Sequence, residues 1–139
     1  MCATEPISGD SITYRESKTP AGNRIIPIHN ELKSTISRLL ESQNDDFLLS
    51  GLVATKHGTR SDAIGKRFGR LKIDQGHGPS KVFHSIRKTV ATLLEQAGVP
   101  ENISADILGH QKNTMTYGLY SGGTNLNSRL EAINLISYS

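Results

Sequence analysis

The sequence predicts a mainly α-helical domain of the α+β class, in which an N-terminal β-hairpin is followed by a helical bundle. Apolar residues recur at helical spacing through the second half of the chain. Two short runs rich in β-branched residues flank a turn near the N-terminus. The chain has 139 residues, of which 35% are hydrophobic, so it can bury one core but not two. We therefore expect a single unit over residues 1–139.

The hairpin is predicted over residues 11–28. Ile12 and Tyr14 lie in its first strand, and the run Arg24-Ile-Ile-Pro-Ile28 forms its second. The residues between them include Pro, Gly and Asn, which are typical of turns. Residues 1–10 are expected to be a loose lead-in. Lys18 lies near the tip of the hairpin, where a lysine is ordinarily solvated.

The helical body is predicted over roughly residues 30–120. Asn30 can cap its first helix, and Ser61 or Asp62 can cap the second, which reaches about Ile73. The inward-facing residues are predicted to be Leu32, Ile36, Leu39 and Leu40 in the first helix and Ile64, Phe68 and Leu71 in the second.

A third helix is predicted from Phe83, and His84 and Arg87 lie three positions apart along one side of it. Gly98 can end this helix, and the next one closes at Gly109, which puts His110 just past its end. Side chains at a helix edge and at a helix end are well placed to converge on one anion. The predicted inward face of the third helix is Phe83, Ile86, Val90, Leu93, Leu94 and Ala97.

The net charge of +3 conceals a strongly basic segment between Lys56 and Lys88, where nine Lys or Arg residues face only two acids. A local basic block on a near-neutral body is typical of proteins that bind a phosphate backbone. The alternative is a solvated basic helix face. The candidate DNA-binding residues are Lys66, Arg67, Arg70, Lys88 and Lys112.

Other features exclude several classes of protein. No apolar run approaches the roughly 20 residues of a membrane helix, and the N-terminus lacks the pattern of a secretory signal. The single cysteine, Cys2, can form neither an internal disulfide nor a metal site by itself. We expect a cytoplasmic protein without a metal, a cofactor or a membrane partner.

The motif His84-x-x-Arg87, followed by Leu108-Gly109-His110 and then Tyr120, resembles the catalytic signature of the tyrosine recombinases, the phage integrase family. His-x-x-Arg alone is a weak signal, but the three parts together are specific. The resemblance implies the catalytic-domain fold of the DNA breaking-rejoining enzymes, in a single partial catalytic domain. It also implies that Arg87, His84 and His110 surround the scissile phosphate.

The same resemblance assigns the nucleophile and a general acid. Tyr120 lies ten positions after His110, close to the family's spacing, whereas Tyr117 lies seven positions after it. Tyr120 is therefore the expected nucleophile. The family carries a catalytic lysine on its hairpin, and Ser17-Lys18-Thr19 matches that context. These assignments imply recombination of double-stranded DNA through a 3′-phosphotyrosyl intermediate, without a metal or other cofactor.

The resemblance leaves the assembly open. A full-length relative would act as a homotetramer on DNA, whereas this chain alone is expected to be a monomer or a weak oligomer. The family's last helix often docks into a neighbouring protomer. The corresponding helix here, about residues 124–136, could instead pack on its own core, and the sequence does not decide between the two.

One departure from the family bears on activity. The family's first catalytic arginine lies upstream of the hairpin, and no segment here matches that region; Arg15 and Arg24 are poor substitutes. We expect a shortened chain or gene, with a rate reduced by about 100- to 1000-fold. The alternatives are a non-catalytic DNA-binding or regulatory remnant and, less favoured, a type IB topoisomerase.

Overall fold

The computed structural model describes residues 3–4, 11–15, 23–45, 47–56, 60–111 and 122–137. Its three short strands, β1 (Ala3–Thr4), β2 (Ser11–Arg15) and β3 (Arg24–Pro27), form an antiparallel sheet in the order β1-β2-β3. Both strands of the predicted hairpin are confirmed. The prediction of a loose lead-in is wrong for residues 3–4, because they pair with the end of β2 and add an edge strand to the hairpin.

Apart from connecting loops, the rest of the described chain is helical, which confirms the predicted mainly α fold class. A 3-10 turn (Asn30–Leu32) leads into α1 (Lys33–Glu41). The following helices are α2 (Asp62–Asp74), α3 (Phe83–Gln96), α4 (Glu101–Leu108) and α5 (Leu126–Asn134). None of the helices in the described ranges is both long enough and apolar enough to cross a membrane.

Two glycines end α3 and α4 as predicted. Gly98 has φ 72° and Gly109 has φ 69°, a left-handed conformation that other residues adopt only with strain. After Gly98, the backbone N–H of Val99 donates to the Leu94 carbonyl at 3.0 Å. After Gly109, the N–H of His110 donates to the Ala105 carbonyl at 2.9 Å. These bonds satisfy carbonyls that a helix end leaves without a partner.

The prediction that Asn30 caps the first helical segment is wrong. The imidazole Nδ1 of His29 accepts a hydrogen bond from the Glu31 N–H at 3.2 Å, so the proton is on Nε2, which can donate to the Ile136 carbonyl at 3.2 Å. The Asn30 N–H instead donates to the Asn134 side-chain oxygen at 2.9 Å. Residues 29 and 30 therefore attach the start of α1 to the end of α5.

The core lies where the end of α3, α4 and α5 meet, and β3 packs beside it. The C-terminal helix α5 thus packs on its own chain. Its Ala132 and the following Ile136 are 4% and 5% exposed, while Leu94 of α3 is completely buried. The buried core cluster consists of Leu94, Val99, Ile107, Leu108, Ala132 and Ile136.

Several predicted inward-facing residues are exposed, and all of them lie in the first two-thirds of the chain. Neither α1 nor α2 contributes a buried residue. The rings of Phe68 and Phe83 meet edge to face with centroids 5.2 Å apart, and this contact joins α2 to the start of α3. Other apolar side chains of α2 and of the start of α3 remain largely uncovered by the described residues. The exposed fractions are 53% for Leu32, 53% for Leu71, 54% for Phe83 and 47% for Ile86.

Candidate active site

Arg87 lies in the second turn of α3 and is half-buried. The helix start before it is well defined, because Ser85 and Val82 exchange two hydrogen bonds. The Ser85 hydroxyl accepts from the Val82 N–H at 3.1 Å, and the Ser85 N–H donates to the Val82 carbonyl at 2.8 Å. His84, three residues before Arg87, is exposed in the first turn.

His110 reaches the same region from a different helix. It is the second residue after α4, and the left-handed Gly109 turns the chain so that the His110 N–H bonds back to Ala105. The helix itself is held in the core by the buried Ile107 and Leu108. Packing of α4 therefore determines where His110 lies.

A second arginine, Arg24, lies at this site as well. Its Nε–H donates to the Ile107 carbonyl at 2.9 Å, which connects the start of β3 to the last turn of α4. Sequence reasoning dismissed Arg24 as a poor substitute for the missing arginine. The available signal was slight: Arg24 is the one charged residue in an otherwise apolar strand, and nothing near it in the sequence indicates contact with residue 107.

The two arginines act electrostatically on His110. His110 is exposed, but the slight desolvation by the protein around it lowers its pKa, and the positive charges of Arg87 and Arg24 lower that pKa further. A guanidinium is always protonated in proteins, so it disfavours a second positive charge nearby. The charges of Arg87 on α3 and Arg24 on β3 thus both act on the imidazole that follows α4.

The remaining candidates lie partly outside the described residues. Lys18, Tyr117, Tyr120 and Lys112 belong to the ranges for which no structure is described. The chain is anchored at Thr124, four residues after Tyr120 in the sequence. Asp106 of α4 accepts hydrogen bonds from the Thr124 N–H at 2.6 Å and from the Thr124 hydroxyl at 2.8 Å.

The predicted DNA-binding residues that the structure describes are all at the surface. Lys66, Arg67 and Arg70 are exposed on α2, and Lys88 is exposed on α3. Their side chains are therefore accessible to a phosphate backbone. DNA binding by these residues stays a prediction, and the structure shows that their side chains are exposed.

Two other basic residues of the same segment have structural partners instead. The Arg60 guanidinium bonds the Asp45 carboxylate at 2.9 Å and lies 3.8 Å from the centre of the Phe47 ring. The Lys72 ammonium donates to the Lys81 carbonyl at 2.8 Å and to the Gly78 carbonyl at 3.3 Å. Lys72 thereby ties the end of α2 to the loop that leads into α3.

Comparison with known proteins gives a consistent result. The sequence profile described as the phage integrase family matches residues 10–124, which is most of the chain. The chain belongs to the phage integrase family. This membership confirms the resemblance seen in the motif around His84, Arg87 and His110.

A relative within this family is a tyrosine recombinase XerC-like protein of Caldanaerobacter subterraneus subsp. tengcongensis. The two sequences are 27% identical over 117 residues, and the match covers 75% of this integrase-family chain. It covers 30% of the relative, so the chain spans less than a third of that protein's length. No solved structure matches the chain significantly.

Proposed function

We propose that residues 1–139 form a partial catalytic domain of a site-specific DNA recombinase, in which Tyr120 is the nucleophile. One observation carries the proposal: Arg87 and His110, from separate helices, lie close enough for the arginine charge to lower the pKa of the imidazole. A fixed positive charge with a proton acceptor nearby can serve a phosphodiester in its transition state. Family membership supports the same reading.

Chain geometry allows Tyr120 to take part. Thr124 is bonded to Asp106, and Tyr120 lies four residues before it. Four residues span at most about 14 Å when fully extended. His110 is also close to this anchor in the sequence, because it lies four residues after Asp106. The nucleophile is therefore tethered to the helix that positions His110.

The reaction needs both a base and a neutralised phosphate. A phenol has a pKa of about 10, so only about one tyrosine in a thousand is ionised at pH 7, which corresponds to about 4 kcal/mol. Arg87 offers two parallel N–H donors to the phosphate oxygens. Because the pKa of His110 is lowered, its imidazole is mostly neutral at pH 7 and can accept a proton from the phenol.

The other two candidates complete this scheme. His84 can donate a hydrogen bond to a phosphate oxygen. Lys18 can protonate the leaving oxygen if neighbouring cations lower its pKa toward neutrality. Both assignments rest on the family motif in which the two residues stand.

The atoms balance without an external energy source. The Tyr120 oxygen forms a bond to phosphorus as the bond from phosphorus to the 5′ oxygen breaks. The phenolic proton passes to a base, and the 5′ oxygen takes up a proton to become a hydroxyl. A 5′ hydroxyl from a partner strand then attacks the phosphotyrosyl ester and releases Tyr120. Since one ester replaces another, neither ATP nor a metal is required by the balance.

The proposed substrate is double-stranded DNA, recombined in an integration or excision reaction of a phage or other mobile element. Lys66, Arg67, Arg70, Lys88 and Lys112 are the proposed phosphate contacts, which would set register without reading bases. A longer protein that contains this chain would act as a homotetramer on paired sites.

A second candidate function is DNA binding without cleavage, as in a regulatory remnant. The exposed basic side chains of α2 favour it, because phosphate contacts require no reacting tyrosine.

A trapping experiment separates the two functions. The chain is incubated with a pool of random-sequence DNA duplexes, nicked so that the short released fragment, which carries the 5′ hydroxyl, diffuses away and the covalent product accumulates. We expect an adduct that survives denaturing electrophoresis. Tyr120→Phe should abolish it, because no other group at that position can form the ester. Sequencing the trapped DNA would identify the target site.

The matched control is Tyr117→Phe, which removes a phenol three positions away and should leave the adduct intact. The opposite pattern would reassign the nucleophile to Tyr117. Salt-dependent DNA binding with no adduct at any protein concentration would select the non-catalytic function.

A further inference from the structure

Arg24 connects two parts of the fold that are far apart in sequence. It begins β3, and its Nε–H bonds the carbonyl of Ile107, 83 positions later. Ile107 is in the last turn of α4, whose final carbonyls lack intrahelical donors. A guanidinium at a helix C-terminus both donates to such a carbonyl and opposes the negative end of the helix dipole. The contact therefore stabilises this helix end.

The same helix end positions His110. From Ile107 the chain passes through Leu108 and the left-handed Gly109, and the His110 N–H bonds back to Ala105 at 2.9 Å. A shift of the last turn would move the imidazole with it. Arg24 therefore holds, from outside the helix, the turn that determines the position of His110.

We propose that Arg24 is a positioning residue for His110, acting through its hydrogen bond to Ile107 and through the positive charge that it places near the imidazole. This inference rests on the proposed function for its consequence in DNA cleavage. Its structural and electrostatic parts can be tested on the chain without DNA. In this role Arg24 acts through another side chain.

The electrostatic part depends on all charged groups around this site. Arg87 approaches from α3 and Arg24 from β3, and both lower the pKa of His110 in addition to slight desolvation. On α4 itself, the Asp106 carboxylate accepts the two hydrogen bonds of Thr124. From α5, the Arg129 guanidinium donates to the Ile25 carbonyl at 2.6 Å. A bound phosphodiester would offset the arginine charges, so His110 would gain proton affinity as DNA arrives.

Three substitutions separate the hydrogen bond from the charge. Arg24→Gln places an amide nitrogen the same number of bonds from the backbone as Nε, so it keeps a donor and removes the charge. Arg24→Lys keeps both a charge and a donor. Arg24→Met keeps similar length and neither property. The matched control is Arg129→Met, which removes a different arginine, one that bonds the Ile25 carbonyl of β3.

The first measurement is an NMR titration of the His110 imidazole in the DNA-free chain, with His110→Gln used to assign the signal. We expect Arg24→Gln and Arg24→Met to raise the pKa of His110, and Arg24→Lys and Arg129→Met to leave it unchanged. A pKa equal to that of the parent in Arg24→Gln would overturn the electrostatic part.

The second measurement is the pH profile of adduct formation on the trapped DNA pool. Arg24→Met should slow the reaction by up to about 100-fold, as expected when a reacting group is displaced by about 1 Å. Arg24→Gln should retain more activity, with a profile moved to higher pH, and Arg24→Lys should restore the parent profile. Parent rates in Arg24→Met would overturn the positioning role.

The two measurements fail in different ways. If neither the parent nor any variant forms an adduct, the proposed cleavage function is wrong, yet the titration still decides whether Arg24 acts on His110. If Arg24→Met does not fold, Arg24→Gln and Arg24→Lys still decide the electrostatic part, because both keep a donor for the Ile107 carbonyl and differ in charge.

Discussion

The two halves of the helical body differ in how they are packed. The end of α3, α4 and α5 share a closed core with Leu94 completely buried at its centre. In contrast, α1 and α2 contribute no buried residue, and Ile73 of α2 is 67% exposed. His110 follows directly on α4 of the packed half, and Arg87 lies on α3 just before the part of that helix that packs into the core. The other half presents exposed basic side chains, which can bind a phosphate backbone without being held in fixed positions.

The largest expected difference is in stability. Leu94→Ala removes a side chain that is completely enclosed, so it should lower the free energy of unfolding by about 2–5 kcal/mol. Leu71→Ala makes the same chemical change on α2, where the side chain is 53% exposed, and should cost less than about 0.5 kcal/mol. Urea denaturation of both variants measures the contrast. Similar losses would mean that α2 is packed as tightly as the core.

A smaller effect is expected where α4 anchors the chain after Tyr120. Thr124→Val keeps the shape of the side chain but removes the hydroxyl that donates to Asp106, so we expect a loss of about 1–2 kcal/mol in the free energy of unfolding. The control is Thr92→Val, because the Thr92 hydroxyl bonds the Lys88 carbonyl at an exposed site of α3. Urea denaturation measures both variants. Equal losses would show that the hydrogen bond from Thr124 to Asp106 stabilises the fold no more than an exposed hydroxyl bond on α3.

The basic surface of α2 can be tested by salt dependence. Lys66→Gln, Arg67→Gln and Arg70→Gln should each weaken DNA binding at every sequence and reduce the slope of log affinity against log salt by about 1. Arg60→Gln is the matched control, because Arg60 is bonded to Asp45 and lies over Phe47. Fluorescence anisotropy with a labelled duplex measures both quantities. An unchanged slope in all three α2 variants would place the DNA elsewhere.

The smallest effect concerns pH. The pKa of His110 in the folded chain is below its ordinary value of 6.5, so the unfolded chain takes up the proton first as pH falls. Stability should therefore be greatest above pH 6.5 and decrease between that value and the lowered pKa. His110→Gln should remove this part of the pH dependence when urea midpoints are compared across pH. Identical profiles for the parent and His110→Gln would contradict it.

At lower pH, a second group should contribute in the poorly packed half. Hydrogen bonding to Arg60 is the largest cause that lowers the pKa of Asp45, and the Phe47 and Gly51 N–H groups lower it further, while partial desolvation opposes them. Its contribution to stability should be present above the ordinary pKa of 3.8 and be lost as pH falls through the lowered value. Asp45→Asn should remove this transition and leave that of His110 in place.

Features encoded within one or two helical turns could be predicted from the sequence. The strands of the hairpin, the extents of α2 to α4 and the helix ends at Gly98 and Gly109 all agree with the structure. So does the position of His110 just past a helix end. Periodicity and glycine placement act over a few residues, so they can be read without knowing the fold.

Which apolar faces are covered could not be predicted from the same patterns. Phe83 and Leu94 belong to one helical stripe, yet the first is 54% exposed and the second is completely buried. Periodicity shows that a face is apolar, but only packing of α4 and α5 over the end of α3 determines which part of it is buried.

The sequence by itself determined the family, the motif residues Arg87 and His110, and the presence of a basic segment, because each is a matter of residue type and spacing. Only the tertiary structure decided which charges have structural roles: Arg60 and Lys72 hold loops, and Arg24 joins β3 to α4. The physical reason is that a guanidinium or ammonium acts on whatever carbonyl or carboxylate folding brings within about 3 Å. For Arg24 that partner is 83 positions away, beyond the reach of any local pattern.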